Sequence, residues 1–282
     1  MKKIAQTLCQ SIMIASAVSL SGNIYAGMMG ETTVNLSPGQ FYIGVFGGGG
    51  GATSDTLAQL GSAYYSSTAG GPLAVNAFGN SSVSGAWLAG LNVGYQWSPI
   101  LFNKTQSNWT LSPAIEIEGY DVGNTITAVE LNNETARLTE HDFHAGYPMN
   151  TGVFLVNGLL SLNHSLFNTV HPYLGVGAGT AMISITNAHS DQTAPAEPGI
   201  NHYNSDPNAS TVAFAVQPKI GLHFDINQHG SIFVEYRFLY ISPTDYTFGS
   251  TVYPSHVATS SWNVKMGAML YNFGTVGIRF NS

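Results

Sequence analysis

The sequence predicts an all-β chain: one transmembrane, antiparallel, up-and-down β-barrel of eight strands, with four long extracellular loops and three short periplasmic turns. Three observations predict it. Apolar and polar residues alternate with period two over unusually long stretches. The connections between those stretches alternate between short and long. Charged residues make up only 8% of the chain, against about 25% in an ordinary soluble domain.

The clearest strand runs from Val212 to Ile226. Val212, Phe214, Val216, Pro218, Ile220, Leu222, Phe224 and Ile226 form an apolar face, with small or polar residues at every position between. Ordinary strands hold about five or six residues, whereas a tilted strand that crosses a bilayer needs about 9–11. Ser231 to Ile241 repeats the pattern, and Asn227-Gln228-His229-Gly230 between them has the residues of a tight turn, so the two segments predict a hairpin. Six further segments complete the set: Gln40–Gly48, Ala86–Trp97, Trp109–Tyr120, Thr151–Asn163, His171–Ile183 and Ala268–Phe280.

Short connections at Ser98–Asn108, His164–Val170 and Asn227–Gly230 follow the second, fourth and sixth strands. The others, Gly49–Gly85, Asp121–Asn150, Thr186–Ser210 and Ser242–Thr259, are long and rich in Gly, Ser, Asn and Asp. Outer-membrane barrels sort their loops in this way, with short turns inside and long loops outside. Trp97, Trp109, Tyr120, Tyr240, Tyr271 and Phe280 lie near strand ends, where aromatic girdles meet the membrane interface.

The N-terminus reads as a processing signal over residues 1–26. Lys2 and Lys3 precede a mostly apolar stretch, and Asn23-Ile24-Tyr25-Ala26 offers a small residue at the cleavage point. Residues 27–39 are then a short periplasmic lead-in. Cleavage removes Cys9, the single cysteine, so the mature chain forms no disulfide. It also shifts the formal net charge from −7 to −9.

Alternation places Glu116, Glu118, Lys219, His223, Asp225, Glu235, Arg237 and Arg279 inside the barrel. An eight-stranded barrel is just wide enough for side chains to fill, and charges held there must pair. A structural salt-bridge plug is therefore expected, with a narrow ion path as the alternative. Asp55, Asp121, Glu130, Glu134, Glu140, Asp142, Asp191, Glu197, Asp206 and Asp245 fall in the outer loops against Arg137, predicting an acidic crown. His141, Asp142, His144, His189, His202 and His256 also fall in outer loops, where solvated histidines and no metal site are expected. Gly47 to Gly51 lacks a Walker lysine and reads as a flexible strand exit rather than a phosphate site. Asn163-His164-Ser165 sets a His beside a Ser in a periplasmic turn, away from the outer leaflet, so no catalytic residue, cofactor or enzymatic activity is expected. Nucleic-acid binding is disfavoured because no basic patch exists.

The closing Asn272-Phe273-Gly274-Thr275-Val276-Gly277-Ile278-Arg279-Phe280 resembles the final strand of outer-membrane barrels. Pro172-Tyr173-Leu174-Gly175-Val176-Gly177-Ala178-Gly179 resembles a strand of OmpA-like, opacity-type small barrels. Phe41-Tyr42-Ile43-Gly44, Ile115-Glu116-Ile117-Glu118-Gly119-Tyr120 and Lys219-Ile220-Gly221-Leu222 are similar to the major surface antigen family of intracellular Gram-negative bacteria. The resemblance implies an outer-membrane surface barrel, with Phe280 as the C-terminal signal read by the barrel assembly machinery. The partners expected are outer-membrane lipids, lipopolysaccharide, that machinery and host surface molecules. A surface antigen or adhesin-type role is the first expectation; a porin or narrow channel is the alternative, and a lipid A-modifying enzyme is less expected.

Overall fold

The computed structural model describes residues 39–54, 56–83, 85–101, 109–132, 141–164 and 169–282. The predicted signal peptide, nearly all of the lead-in, Ser165, and Asp55, Glu134, Arg137 and Glu140 of the predicted outer-loop charges lie outside the described residues.

Among the described residues fourteen strands follow one another: β1 (Gln40–Ser54), β2 (Thr56–Ala63), β3 (Leu73–Val83), β4 (Ala86–Gln96), β5 (Ile100–Leu101), β6 (Trp109–Asn132), β7 (His141–His164), β8 (Val170–Ile185), β9 (His189–Ala194), β10 (Ala209–Asn227), β11 (Gly230–Ile241), β12 (Thr244–Phe248), β13 (Trp262–Met266) and β14 (Met269–Asn281). Eight of them close an antiparallel ring in the order β1-β4-β6-β7-β8-β10-β11-β14 and back to β1. These eight match the eight segments predicted from alternation, which overrun them by one residue at Trp97 and at Ala268, so the barrel of eight strands is the fold. Closure satisfies every edge within the ring, which is what lets a sheet cross lipid.

The outward residues of the lower ring form an apolar belt. Ile117 is 67% exposed, and Phe41, Ile43, Val45, Leu91, Val93, Phe154, Val156, Leu174, Val176, Ile220, Leu222, Val234, Val276 and Ile278 are exposed with it. Such a surface on a closed barrel faces hydrocarbon. Trp97, Trp109 and Phe280 are exposed near the periplasmic rim. Tyr120 and Tyr271, expected in the girdles, instead point inward, because their parity is that of Glu118 and Phe273.

The long outer connections are not loose. The β6–β7 hairpin stays paired from Trp109↔His164 to Asn132↔His141, well beyond the belt, which ends on β6 at the exposed Asp121. β3, β2, β13 and β12 add one after another to the extension of β6, and β9 adds to β7. Gly49–Gly85 and Asp121–Asn150, where a wider porin ring would have hidden extra strands, instead give β2 and β3 and the outer ends of β6 and β7 to an extracellular cap, and the ring stays at eight.

The glycine run is a correction of the same kind. Gly47 to Gly51 is paired strand, with β14 along all of it and β4 on the other side as far as Gly50, not a flexible exit. A Cβ at Gly50 would collide with the Asn272 carbonyl oxygen, so glycine is used for close strand approach.

Candidate functional site: a closed barrel interior under an extracellular cap

The strands of the lower ring project one polar cluster into the barrel. Lys219 on β10 donates through Nζ to Glu116 (2.7 Å) and Glu118 (2.8 Å), both on β6, and lies 3.6 Å from Glu235. Arg237 lies directly across the hairpin from Lys219. It donates through Nη1 to Glu118 (2.8 Å) and through Nε to Glu235 (2.7 Å) on its own β11. Residues two apart on a strand share a face, which is why β6 delivers Glu116 with Glu118 and β11 delivers Glu235 with Arg237.

Neutral groups finish the shell. Tyr42 (3.0 Å) and Asn157 (3.1 Å) donate to Glu116. Gln217 (2.9 Å) donates to Glu118 and accepts from Tyr120 (2.6 Å), while Tyr173 (2.6 Å) donates to Glu235. The Arg237 guanidinium also sits 3.9 Å from the Phe46 ring centroid, a cation–π contact. Glu118 and Arg237 have no exposed surface. Arg279 lies toward the periplasmic mouth, 3.6 Å from the Tyr42 ring and donating to Gln96 (2.6 Å). Three carboxylates and three cations thus line one interior, each with little or no exposed surface.

Not all eight expected interior residues meet in this cluster. His223 is buried and stacks on Tyr173 at 4.2 Å, one layer away from the ion pairs. Asp225, expected inside, is 41% exposed and pairs with His171 at 3.0 Å. Its place is the rim of a periplasmic cavity of about 270 Å³ that also touches Gln96, Asn163 and Arg279. β10 ends at Asn227, so Asp225 sits where the strand leaves the barrel.

The interior of the cap is different in kind. Leu57, Val75, Ile126, Phe143, Tyr147, Ile183, Ile185, Tyr203, Phe248, Trp262, Val264 and Met266 are buried in one apolar core. Its outer face is largely polar, with Asn76, Asn80, His144, Asn150, Asp191, Asp245, Asn263 and Lys265 exposed. Two acids expected in an acidic crown are drawn into this cap. Glu130 has no exposed surface; among the described residues its carboxylate accepts one hydrogen bond, from Tyr147 (3.3 Å), and burial pushes its carboxyl up to about 8. Tyr147 contacts Tyr203, which donates to Gln59 (2.6 Å). Glu197 reaches toward two histidines, His202 at 3.7 Å and His256 at 3.1 Å. His202 is only 2% exposed, contrary to a solvated loop histidine, and burial lowers its basicity.

His144 and His189 lie 6.2 Å apart, ring to ring, on neighbouring strands. His141 lines a small cavity beside Glu197, His202 and His256. No sequence motif announced that triad; Glu197-x4-His202 is unremarkable spacing, and His256 comes from a different connection.

No protein-family model matches the chain, and no curated protein sequence matches it. Among solved structures it is similar to the outer membrane protease OmpT from Escherichia coli (8% identity, TM-score 0.40, covering 89% of this chain and 99% of that one). It is also similar to the outer membrane protein OprG from Pseudomonas aeruginosa (10% identity, TM-score 0.39, 86% and 96%). Neisserial surface protein A is a third (12% identity, TM-score 0.32, 85% and 96%). The closed ring and its apolar belt make this chain an outer-membrane β-barrel. The expectation of a chain without enzymatic activity is corrected to an open one: one of the structures it is similar to is an outer membrane protease. No enzymatic role is shown either.

Proposed function

We propose that the protein is a surface protein of the outer membrane, in which a sealed barrel anchors an ordered cap that meets the exterior. The observation that carries this reading is the closed interior. Glu116, Glu118, Lys219, Glu235 and Arg237 occupy the barrel with almost no exposed surface, and the apolar cap core stands above them. The periplasmic cavity ends beneath these ion pairs. A salt-bridge plug, rather than an ion path, is the role that such mutual pairing supports.

The resemblance of the strand segments to opacity-type barrels and to the major surface antigen family supports the same reading. Lipopolysaccharide and outer-membrane lipids are the surroundings of the belt, the assembly machinery reads the strand that ends at Phe280, and host surface molecules are the partners for the cap. The test is conductance of the folded, purified protein in planar bilayers. A silent membrane is expected; large, open, voltage-independent channels would make the protein a porin and sink the proposal.

A further inference from the structure

We propose that Glu197, His202 and His256 form a binding site for a divalent first-row transition ion, of which Zn²⁺ is the natural probe. The ligating atoms of the three side chains all lie within 4.8 Å of one another. Glu197 Oε2 is 3.1 Å from His256 Nε2 and 3.7 Å from His202 Nε2. Ligands at about 2.0–2.1 Å from a tetrahedral zinc stand about 3.3 Å apart, a value that these two separations bracket.

The tautomers are what distinguish this triad from a chance meeting. His202 Nδ1 contacts the Ser190 carbonyl oxygen at 2.8 Å, and His256 Nδ1 contacts the Val257 carbonyl oxygen at 2.6 Å. A carbonyl oxygen can only accept, so in each neutral ring the proton is on Nδ1 and Nε2 presents its lone pair. Both lone pairs face Glu197 Oε2, a buried oxygen without a hydrogen-bond partner. Three acceptors therefore converge with no donor among them, and a cation resolves that arrangement. Anchoring the far imidazole nitrogen on a backbone carbonyl is also how metal-binding histidines are oriented.

The site is held firmly on the cap core. The His202 ring packs edge-on against Phe143 (5.2 Å) and Trp262 (5.8 Å) and crosses His256 at 90°. Imidazole with carboxylate suits zinc, iron, nickel and copper rather than magnesium or calcium. A cavity of about 50 Å³, lined also by His141 and Gln192, adjoins the three ligands and has room for a water as fourth ligand. The ion would tie the β9–β10 connection to the β12–β13 connection. It does not depend on whether the barrel conducts.

The test uses the full mature chain without a polyhistidine tag, folded in detergent, stripped with chelator and titrated with Zn²⁺. One Zn²⁺ per chain is expected to survive gel filtration, with X-ray absorption reporting two imidazoles and a carboxylate oxygen. His256→Gln and Glu197→Gln should each weaken binding by about 100-fold, at or above the loss seen when only an outer-shell partner is removed. His144→Ala with His189→Ala should leave binding unchanged. Heat-modifiable gel mobility confirms that each variant has folded, and the partly exposed His256 and Glu197 decide the matter even if a His202 variant does not fold. The proposal falls if no Zn²⁺ is retained by the wild type, if His256→Gln binds as tightly as wild type, or if equimolar Mg²⁺ displaces the bound ion.

Discussion

The lower barrel and the extracellular cap are two storeys of one continuous hairpin system, and they are packed in opposite senses. Below Asp121, β6 turns Ile115 and Ile117 outward and Glu116 and Glu118 inward; above it, Ile126 and Ala128 face inward. The solvent accounts for the reversal. Hydrocarbon outside gives no hydrophobic reward for hiding apolar side chains, so the interior can be polar provided that every charge is paired. Water outside restores that reward, about 1.5–3 kcal/mol for each large apolar side chain buried. The lower storey is therefore specified by electrostatic complementarity and the upper one by packing.

The largest test of this contrast is Lys219→Ala. Among the described residues it leaves Glu118 and Glu235 paired with Arg237 alone and Glu116 without an ion-pair partner, and removing one partner of a buried ion pair costs about 3–5 kcal/mol. Urea unfolding from lipid vesicles should show that loss. Little change in the midpoint would mean that the plug does not hold the barrel together.

Glu130→Gln tests the cap. The carboxyl of Glu130 is raised from 4.5 to about 8, so the folded state holds its proton more tightly than the unfolded chain does. Its contribution is fully present below about pH 4.5 and is lost as pH rises toward 8. At 1.36 kcal/mol per pH unit the cost at pH 7 is roughly 3 kcal/mol. Glu130→Gln should therefore stabilise the cap by about that much at pH 7 and by little at pH 4. Fluorescence of the buried Trp262 during denaturation reads the difference; equal shifts at both pH values would reject it.

Two smaller effects complete the comparison. Ile126→Val, in the cap core, should cost about 0.5–1.5 kcal/mol by the loss of one buried methylene, again read from Trp262. Asp225→Asn, at the exposed periplasmic rim, removes a pair worth about 0–1 kcal/mol, and that loss should shrink as salt is raised. A larger, salt-independent loss would place Asp225 in the buried network after all.

Much of the lower storey was legible from the chain. Val212 to Ile226 alternates without error, and parity alone assigned Glu116, Glu118, Lys219, Glu235 and Arg237 to one interior. Asp225 had the right parity too, but parity does not tell where a strand leaves the barrel. The cap was far less legible, although β12 and β13 also alternate, as Thr244-Asp245-Tyr246-Thr247-Phe248 and Trp262-Asn263-Val264-Lys265-Met266. At five residues each they are too short to stand out from Gly- and Ser-rich connections.

The sequence by itself determined the number of strands in the ring and the charges between them, because period-two alternation is local and repeats along each strand. The tertiary structure alone decided that the outer connections form a packed cap, that Glu130 is buried, and that Glu197 and His202 meet His256. Those outcomes depend on strands from distant parts of the chain pairing above the membrane, and the side chains that meet there share no period along the sequence.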